Sequence, residues 1–241
     1  MLEAARQNRL LAALPVDDLK RWVPHLRAVK WVRDEVLYDV GARYTHAYFP
    51  TDAIVSLLYV ASDADASEIG MTGNEGVVGA SLLMGDEAGS PSRLVVQSPG
   101  WAFALDAHFL QADLQRSSVL QLLLRHAQAL ATQMAQTAAC IHHHRLEQQF
   151  CRWLLLCLDR LDGSELATTQ LAIASRLGVR RAGVSECAQK LEREGTIRCA
   201  RGTIAVLDRG ALERKACGCY HVISGEYRRL VGNPVAAVGG V

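Results

Sequence analysis

Apolar residues on either side of Gly178 follow the spacing of two amphipathic helices. The first stripe consists of Ile173, Ala174 and Leu177, and the second of Val184, Cys187, Ala188 and Leu191. Ala174 leaves room for a crossing helix, and Gly178 accepts the positive φ that ends a helix sharply. The spacing predicts a helix-turn-helix, whose second helix enters the DNA major groove. An ordinary αα-hairpin is the alternative that shares this pattern.

Polar residues cover the outward face of the second predicted helix, which favours DNA binding over a plain hairpin. Arginine offers a bidentate fork to guanine, while Ser, Gln and Glu contact base edges or phosphates. The predicted DNA-binding residues are Gln170, Arg180, Arg181, Ser185, Glu186, Gln189, Lys190 and Arg201. Arg201 lies in the turn of a strand–turn–strand pattern over residues 196–206, so a β-hairpin wing completes a winged helix-turn-helix.

Short strand-like runs separated by Gly, Asp and Ser occupy residues 31–105. At least five evenly spaced runs, including residues 67–85, predict a small antiparallel roll or barrel. Short helices over residues 3–29 precede it. Further helices are predicted over residues 106–115, 145–161 and 209–230, the last followed by a loose tail.

A long helix between the two regions carries an apolar seam with alternating steps of four and three residues. Its members are Leu120, Leu124, Ala127, Ala131, Met134, Ala138 and Ile141. A core-facing helix shows a similar stripe. The alanine-rich seam nevertheless favours close approach of a second helix, so we predict a homodimer through these residues. Ser117 or Ser118 is the expected N-cap.

These elements predict an α+β fold in three parts: a β-roll over residues 1–116, a dimerisation helix over 117–144 and a winged helix-turn-helix over 145–241. The charge is divided unevenly between them. Residues 1–144 carry 11 Lys and Arg against 15 Asp and Glu, and residues 145–241 carry 15 against 10. The C-terminal part is therefore the better partner for a polyanion such as DNA.

No run of 18 apolar residues occurs, and the first fifteen residues lack the basic-then-apolar order of a secretion signal. We therefore expect a cytoplasmic protein without a membrane partner. Asp17, Asp18 and Glu68 have no histidine at a recognisable catalytic spacing, and no nucleophile motif occurs. The sequence predicts no enzyme and no catalytic residue, and it identifies no cofactor.

The cysteines leave a metal-, haem- or redox-sensing regulator open as the alternative function. Seven are present, at positions 140, 151, 157, 187, 199, 217 and 219. No CxxC pair occurs, and reduced cysteines at apolar helical positions act as small hydrophobic residues. The soft ligands closest in sequence are Cys140 with His142, His143 and His144, and Cys217 with Cys219 and His221. We predict no metal site from them.

The order of roll, dimer helix and winged helix-turn-helix resembles the Crp/Fnr family of bacterial transcription regulators. The segments that carry the resemblance are LGVRRAGVSECAQKLEREGTIRCARGTIAVLDR, EQQFCRWLLLCLDR and AYFPTDAIVSLL. The resemblance covers residues 8–230. It implies a roll of the cyclic-nucleotide-binding type, a palindromic DNA site, a helix that relays a signal and RNA polymerase as a further partner.

The resemblance carries over to the DNA-binding residues only in part. Arg181 matches an arginine of the family, and Ser185 matches a serine of the Fnr branch. Ala182 stands where many members have Glu, and Glu186 where many have Arg. The preferred DNA sequence is therefore expected to differ from theirs.

The effector site departs further from the family pattern. Its phosphate cassette has a Gly-Glu pair followed later by Arg-Ser or Arg-Thr, and Ala80 stands here in place of the ribose-binding Glu. The residues that could still contribute to a small-molecule effector site are Gly76, Gly79, Ser92 and Arg93. A lone arginine beside a glycine-rich strand is also typical of a surface residue. We do not expect cyclic AMP to be a tight effector.

Overall fold

The computed structural model describes residues 1–62, 65–85 and 89–232. Its elements, in chain order, are α1 (Leu2–Ala5), α2 (Arg9–Ala12), α3 (Val16–Trp22), β1 (Arg27–Trp31), β2 (Val36–Tyr38), β3 (His46–Pro50), β4 (Ile54–Ser62), β5 (Asp65–Thr72), β6 (Arg93–Ser98), β7 (Gly100–Asp106), α4 (Ala107–Asp113), α5 (Ser117–His143), α6 (Leu146–Leu158), β8 (Glu165–Ala167), α7 (Gln170–Leu177), α8 (Arg181–Arg193), β9 (Ile197–Ala200), β10 (Thr203–Val206), α9 (Arg209–Lys215) and α10 (Cys219–Val231). The tail predicted to be loose begins at residue 233 and lies outside the described residues.

The predicted roll is confirmed as two antiparallel sheets, ordered β1-β7-β3 and β2-β6-β4-β5. Apolar residues at alternate strand positions face the interior, where Phe49 and Ile54 are fully buried. Only the first part of the run over residues 67–85 is a strand, because β5 ends at Thr72. The Gly76 N–H donates to the Gly73 carbonyl at 3.1 Å in the turn that follows. Gly79 then has a φ of +99° and precedes a 3-10 helix over Ala80–Met84.

The N-terminal helices are attached to the roll by a buried asparagine. Asn8 Nδ2 donates to the carbonyls of Pro50 (2.8 Å) and Gly76 (2.9 Å), while Asn8 Oδ1 accepts from the Leu11 N–H and caps α2. All three bonds are buried, so they fix the position of α2 on the roll.

Helix α5 runs for 27 residues and packs one face against the roll and α10. The expected serine cap is wrong: Arg116 is the N-cap residue and makes no side-chain capping bond. Ser118 Oγ instead donates to Asp18 Oδ2 at 2.6 Å, so its hydroxyl joins α5 to α3.

The helix-turn-helix follows the predicted pattern, with Gly178 at a φ of +65° between α7 and α8. The wing has three strands, ordered β8-β10-β9, rather than the two that the sequence predicted. The predicted helix over residues 209–230 is two helices. Ala216 adopts extended geometry (ψ 156°) and ends α9, and α10 begins after Gly218.

Buried hydrogen bonds join the roll to the helices that follow α5. Glu68 on β5 accepts from Trp153 Nε1 on α6 at 2.9 Å and from Ser56 Oγ on β4. Burial raises the pKa of the Glu68 carboxyl. Arg176 on α7 lies 3.7 Å from Asp34 of the roll. Within the described residues, none of the helices is both long and apolar enough to cross a membrane.

Candidate DNA-binding surface and effector cavity

Three of the predicted DNA-binding arginines project into solvent at the start of α8 and on the wing. Arg180, Arg181 and Arg201 are exposed. None of them lies within 4.0 Å of a carboxylate in the described part of the chain, whereas Arg176 and Arg209 are paired. Their guanidinium groups therefore keep their hydrogen-bond donors for an external anion or base edge.

Arg181 also lines a groove of about 360 Å³ between the helix-turn-helix and the wing. The start of α7 forms one wall of the groove, with Gln170, and the wing residues Ala200 and Gly202 form the other. Thr168 N–H donates to the Gly202 carbonyl at 2.9 Å, so the wing is attached to the segment that enters α7. The groove thus brings together three of the elements that the sequence predicted to face DNA.

The other residues predicted to contact DNA differ in their exposure and in their hydrogen bonds. Glu186 and Gln189 are exposed on α8. Ser185 Oγ donates to Gln170 Oε1 at 2.7 Å and joins the two helices of the motif. Lys190 Nζ lies 2.6 Å from Glu147 Oε2, and this hydrogen bond raises the pKa of the Lys190 ammonium. Ser185 and Lys190 therefore each have one partner within the chain, unlike the arginines that start α8.

The predicted dimerisation residues lie on the more exposed side of α5. Leu124 and Ile141 are about half exposed, and Ala131 and Ala138 are exposed. Leu120, Ala127 and Met134 are partly covered. The seam is thus a continuous apolar strip along the helix. Isolated apolar residues are common on protein surfaces, but a strip of this kind is typical of an interaction site.

A small cavity lies where the resemblance places the effector. It measures about 50 Å³ and is lined by Gly79 and Ser92 of the predicted set, by Ala80, and by Leu130 of α5. Ligand pockets usually measure about 300–1,000 Å³. A nucleotide would therefore enter only if the walls moved apart.

Gly76 and Arg93 of the predicted set do not line this cavity. A Cβ at Gly76 would lie 2.1 Å from His126 Cε1, so this glycine permits close contact with α5. Arg93 Nε donates to Asp39 Oδ1 at 2.9 Å on the roll surface. The four candidate effector residues are therefore not brought together around one cavity.

Sequence reasoning missed a buried polar cluster that contacts the roll and α5. Arg160 Nε donates to Glu75 Oε1 (2.8 Å), and Arg160 Nη2 donates to Gln133 Oε1 (2.9 Å). The Arg160 guanidinium also lies 5.3 Å from the ring centre of Tyr227. The cluster joins the roll, α5, α10 and the segment after α6, because each of the four residues comes from a different part of the fold.

His126 on α5 adds a titratable imidazole near this polar cluster. Its Nε2 lies 3.3 Å from Val77 N and 3.2 Å from Val77 O, and the ring is fully buried. Burial lowers the pKa of the His126 imidazole to about 4, and the Arg160 charge acts in the same direction. The ring is therefore neutral at physiological pH.

A cavity of about 310 Å³ opens between the roll and α10 and is lined by Arg9, Arg160 and Arg209. These cations already have partners. Arg9 donates to the Asp159 carbonyl at 2.9 Å, Arg209 bonds to the Asp159 carboxylate, and Arg160 pairs with Glu75. We therefore do not assign an anion to this cavity.

The fold brings four of the soft ligands together where α5 ends. The donor atoms of Cys140, His144, Cys217 and Cys219 all lie within 4.8 Å of one another. His142 and His143 are exposed, and His221 lies outside the group. The hydrogen bond from Cys140 lowers the pKa of the Cys217 thiol to about 5.

Comparison with known proteins identifies the C-terminal domain. Residues 148–215 match the Crp-like helix-turn-helix domain family. No curated protein matches the chain significantly.

Solved structures share the whole fold at low sequence identity. A CRP-family transcriptional regulator from Thermus thermophilus is 19% identical, with a TM-score of 0.65 over 78% of this chain and 96% of that one. FixK2 from Bradyrhizobium japonicum is 14% identical, with a TM-score of 0.65 over 80% and 98%. The c-di-GMP-responsive global regulator CLP from Xanthomonas campestris is 14% identical, with a TM-score of 0.63 over 80% and 100%. Residues 148–215 therefore form a Crp-like helix-turn-helix domain, and the chain shares its fold with these solved structures.

Proposed function

We propose that this protein binds a two-fold-related DNA site as a homodimer and regulates transcription there. The observation that carries the proposal is the exposed guanidinium of Arg181, which has no carboxylate partner among the described residues and lines the groove between α8 and the wing. In a winged helix-turn-helix, the start of the second helix faces base edges in the major groove.

The exposed seam of α5 supplies the two-fold arrangement. Pairing this face with the same face of a second copy would cover Leu124 and Ile141 and place two α8 helices in symmetric positions. DNA half-sites about one helical turn apart, ~34–36 Å, would match that symmetry. A transcription regulator of this kind would act in the cytoplasm and would have RNA polymerase as a further partner.

Control by a small molecule is the second part of the proposal. Leu130 of α5 forms part of the cavity wall, so an occupant that widened the cavity would push on the dimerisation helix. Ala80 also lines the cavity and offers no carboxylate to a ribose hydroxyl. Cyclic AMP is therefore not the effector that this cavity favours, and regulation without any effector is the alternative.

Selection of binding sites from random duplexes tests the DNA-binding role. Wild type, Arg181→Ala and Arg214→Ala would be selected in parallel, since Arg214 is a highly exposed arginine on α9 outside the groove. Wild type should select an inverted repeat. Loss of a bidentate contact in Arg181→Ala should cost about 1–3 kcal/mol per half-site and relax the preference at one base. Arg214→Ala should leave the selected motif unchanged.

Phosphate contacts give a different signature in the same assay. Arg201→Ala and Lys190→Ala should weaken binding to all sequences alike and reduce its salt dependence. A selected motif without inverted-repeat character would contradict the dimeric site. A motif unchanged in Arg181→Ala would remove Arg181 from base recognition.

A further inference from the structure

Three thiols and one imidazole converge at the joint between α5, α9 and α10. Cys140 lies in the last turn of α5, and His144 follows directly after that helix. Cys217 lies between α9 and α10, and Cys219 is the first residue of α10. Cys140, Cys217 and Cys219 are at most 6% exposed. The side chains therefore meet inside the protein although Cys217 lies 73 positions after His144 in the sequence.

The distances between the donor atoms match a tetrahedral metal site. Zinc bonds of about 2.3 Å to sulfur and about 2.0–2.1 Å to nitrogen place two sulfurs about 3.8 Å apart and a sulfur and a nitrogen about 3.6 Å apart. Cys140 Sγ lies 3.4 Å from Cys217 Sγ, and Cys219 Sγ lies 3.7 Å from His144 Nδ1. The remaining donor pairs lie within 4.8 Å, so side-chain shifts of up to about 1 Å would complete the coordination.

A buried cation beside the cluster is an independent indication of negative charge at this place. Arg152 is 4% exposed, and its Nη1 donates to Thr137 Oγ1 at 3.1 Å. Its Nε has no hydrogen-bond partner, and its charge acts on the buried Glu68 carboxyl and on the Cys140 and Cys219 thiols. A buried charge is costly unless opposite charge lies near it.

A metal-loaded cluster would place negative charge beside the buried guanidinium of Arg152. A divalent ion with three thiolates and one neutral imidazole carries a net charge of −1. Arg152 lies within electrostatic range of Cys140 and Cys219 and would be its counter-charge.

We propose that Cys140, His144, Cys217 and Cys219 bind one structural Zn²⁺ ion per chain. Three sulfurs and one imidazole nitrogen are a donor set that zinc takes in structural sites. Four protein ligands leave no open position for a substrate, so the ion holds the end of the dimerisation helix to α10. Hard cations such as Mg²⁺ prefer oxygen ligands and do not fit.

Metal content is the primary test, made on the full chain purified without a His-tag and without chelator. Elemental analysis should find about one zinc per chain. Replacement by Co²⁺ should give the intense visible bands of a tetrahedral thiolate site, and chelation should lower the melting temperature. This spectrum reports on the ligands without any DNA-binding assay.

Adjacent residues provide matched controls. His144→Ala and Cys217→Ser should lose bound zinc and weaken the cobalt bands. His143→Ala removes an exposed imidazole next to His144, and Cys199→Ser removes a thiol on the wing, so both should retain about one zinc per chain.

A disulfide between Cys140 and Cys217 is the competing chemistry for this cluster. Thiol titration of the denatured protein in the presence of chelator separates the two, because zinc leaves all seven cysteines free and a disulfide leaves five. Seven free thiols with one zinc support the site. Five thiols, or wild type that holds less than about 0.1 zinc per chain after reconstitution, would overturn it.

Discussion

Two neighbouring faces of α5 differ in how they are covered. The buried face combines apolar residues such as Leu123 with the polar residues His126, Gln133 and Thr137. The seam lies about 100° further round the helix and exposes Leu124 and Ile141. A surface helix normally buries its most apolar stripe and exposes its polar one. The exposed apolar residues of the seam therefore favour the proposed dimer, in which a second copy would cover them.

The two faces differ in how they specify their partners. On the buried face, hydrogen bonds fix the helix in position: Gln133 Nε2 donates to the Met71 carbonyl at 2.9 Å, and Gln133 Oε1 accepts from Arg160. On the seam, small side chains and regular spacing would determine how closely a second helix approaches in the proposed dimer. Polar bonds therefore set the register of α5 against the roll, and shape would set the approach of the proposed partner.

The largest expected effect comes from a charge placed in the seam. Ala131→Glu would bring two like, desolvated carboxylates together in the dimer, and each uncompensated buried charge costs about 3–5 kcal/mol. Analytical ultracentrifugation at micromolar concentration should show a wild-type dimer and a monomeric variant. Gln128→Glu, which adds the same charge at an exposed position outside the seam, should remain dimeric. Monomeric wild type would refute the dimer.

Adjacent leucines compare the two faces directly. Leu123 is 2% exposed and Leu124 is 51% exposed, so truncation of each to alanine removes the same atoms from a buried and from an exposed position. In an Ala131→Glu background, Leu123→Ala should lower the free energy of unfolding by about 2–5 kcal/mol, and Leu124→Ala by less than about 0.5 kcal/mol. Denaturant titration measures both. Equal losses would mean that the seam is packed within the monomer.

The buried histidine makes the stability of α5 packing depend on pH. The pKa of His126 is about 4 in the folded protein and 6.5 for an unburied imidazole, so the unfolded chain takes up the proton first as the pH falls. Its contribution is fully present above pH 6.5 and is lost as the pH drops toward 4.

Between about pH 7 and pH 5 the loss from this one group should be about 2 kcal/mol. His126→Gln removes the titration. Between pH 7 and pH 5 the free energy of unfolding of this variant should therefore fall by about 2 kcal/mol less than that of the wild type. Both proteins keep the same carboxylates, which cancel in the comparison. Parallel pH profiles for the two proteins would show that His126 is not buried in the neutral form.

The sequence predicted the features whose residues lie close together in the chain, and it missed those that depend on residues far apart. The helix-turn-helix could be identified because Gly178 and the apolar residues around it lie within a single short segment. The split between α9 and α10 was missed, since Ala216 and Cys217 fit a helical pattern until the backbone turns there. No spacing rule links Glu75 to Arg160 or Cys140 to Cys217, because only the folded chain brings them together.

The smallest effect that we predict concerns the cavity bordered by Leu130 on the buried face of α5. Cyclic AMP should bind weakly, because Ala80 leaves the ribose hydroxyl without a carboxylate and the lost hydrogen bond costs about 1–3 kcal/mol. The small size of the cavity should weaken the binding further, since its walls must separate before a nucleotide fits. Calorimetry on the intact protein should give a dissociation constant well above micromolar. Ala80→Glu restores the missing acceptor and should tighten binding if the cavity can open, whereas sub-micromolar binding by wild type would contradict the prediction.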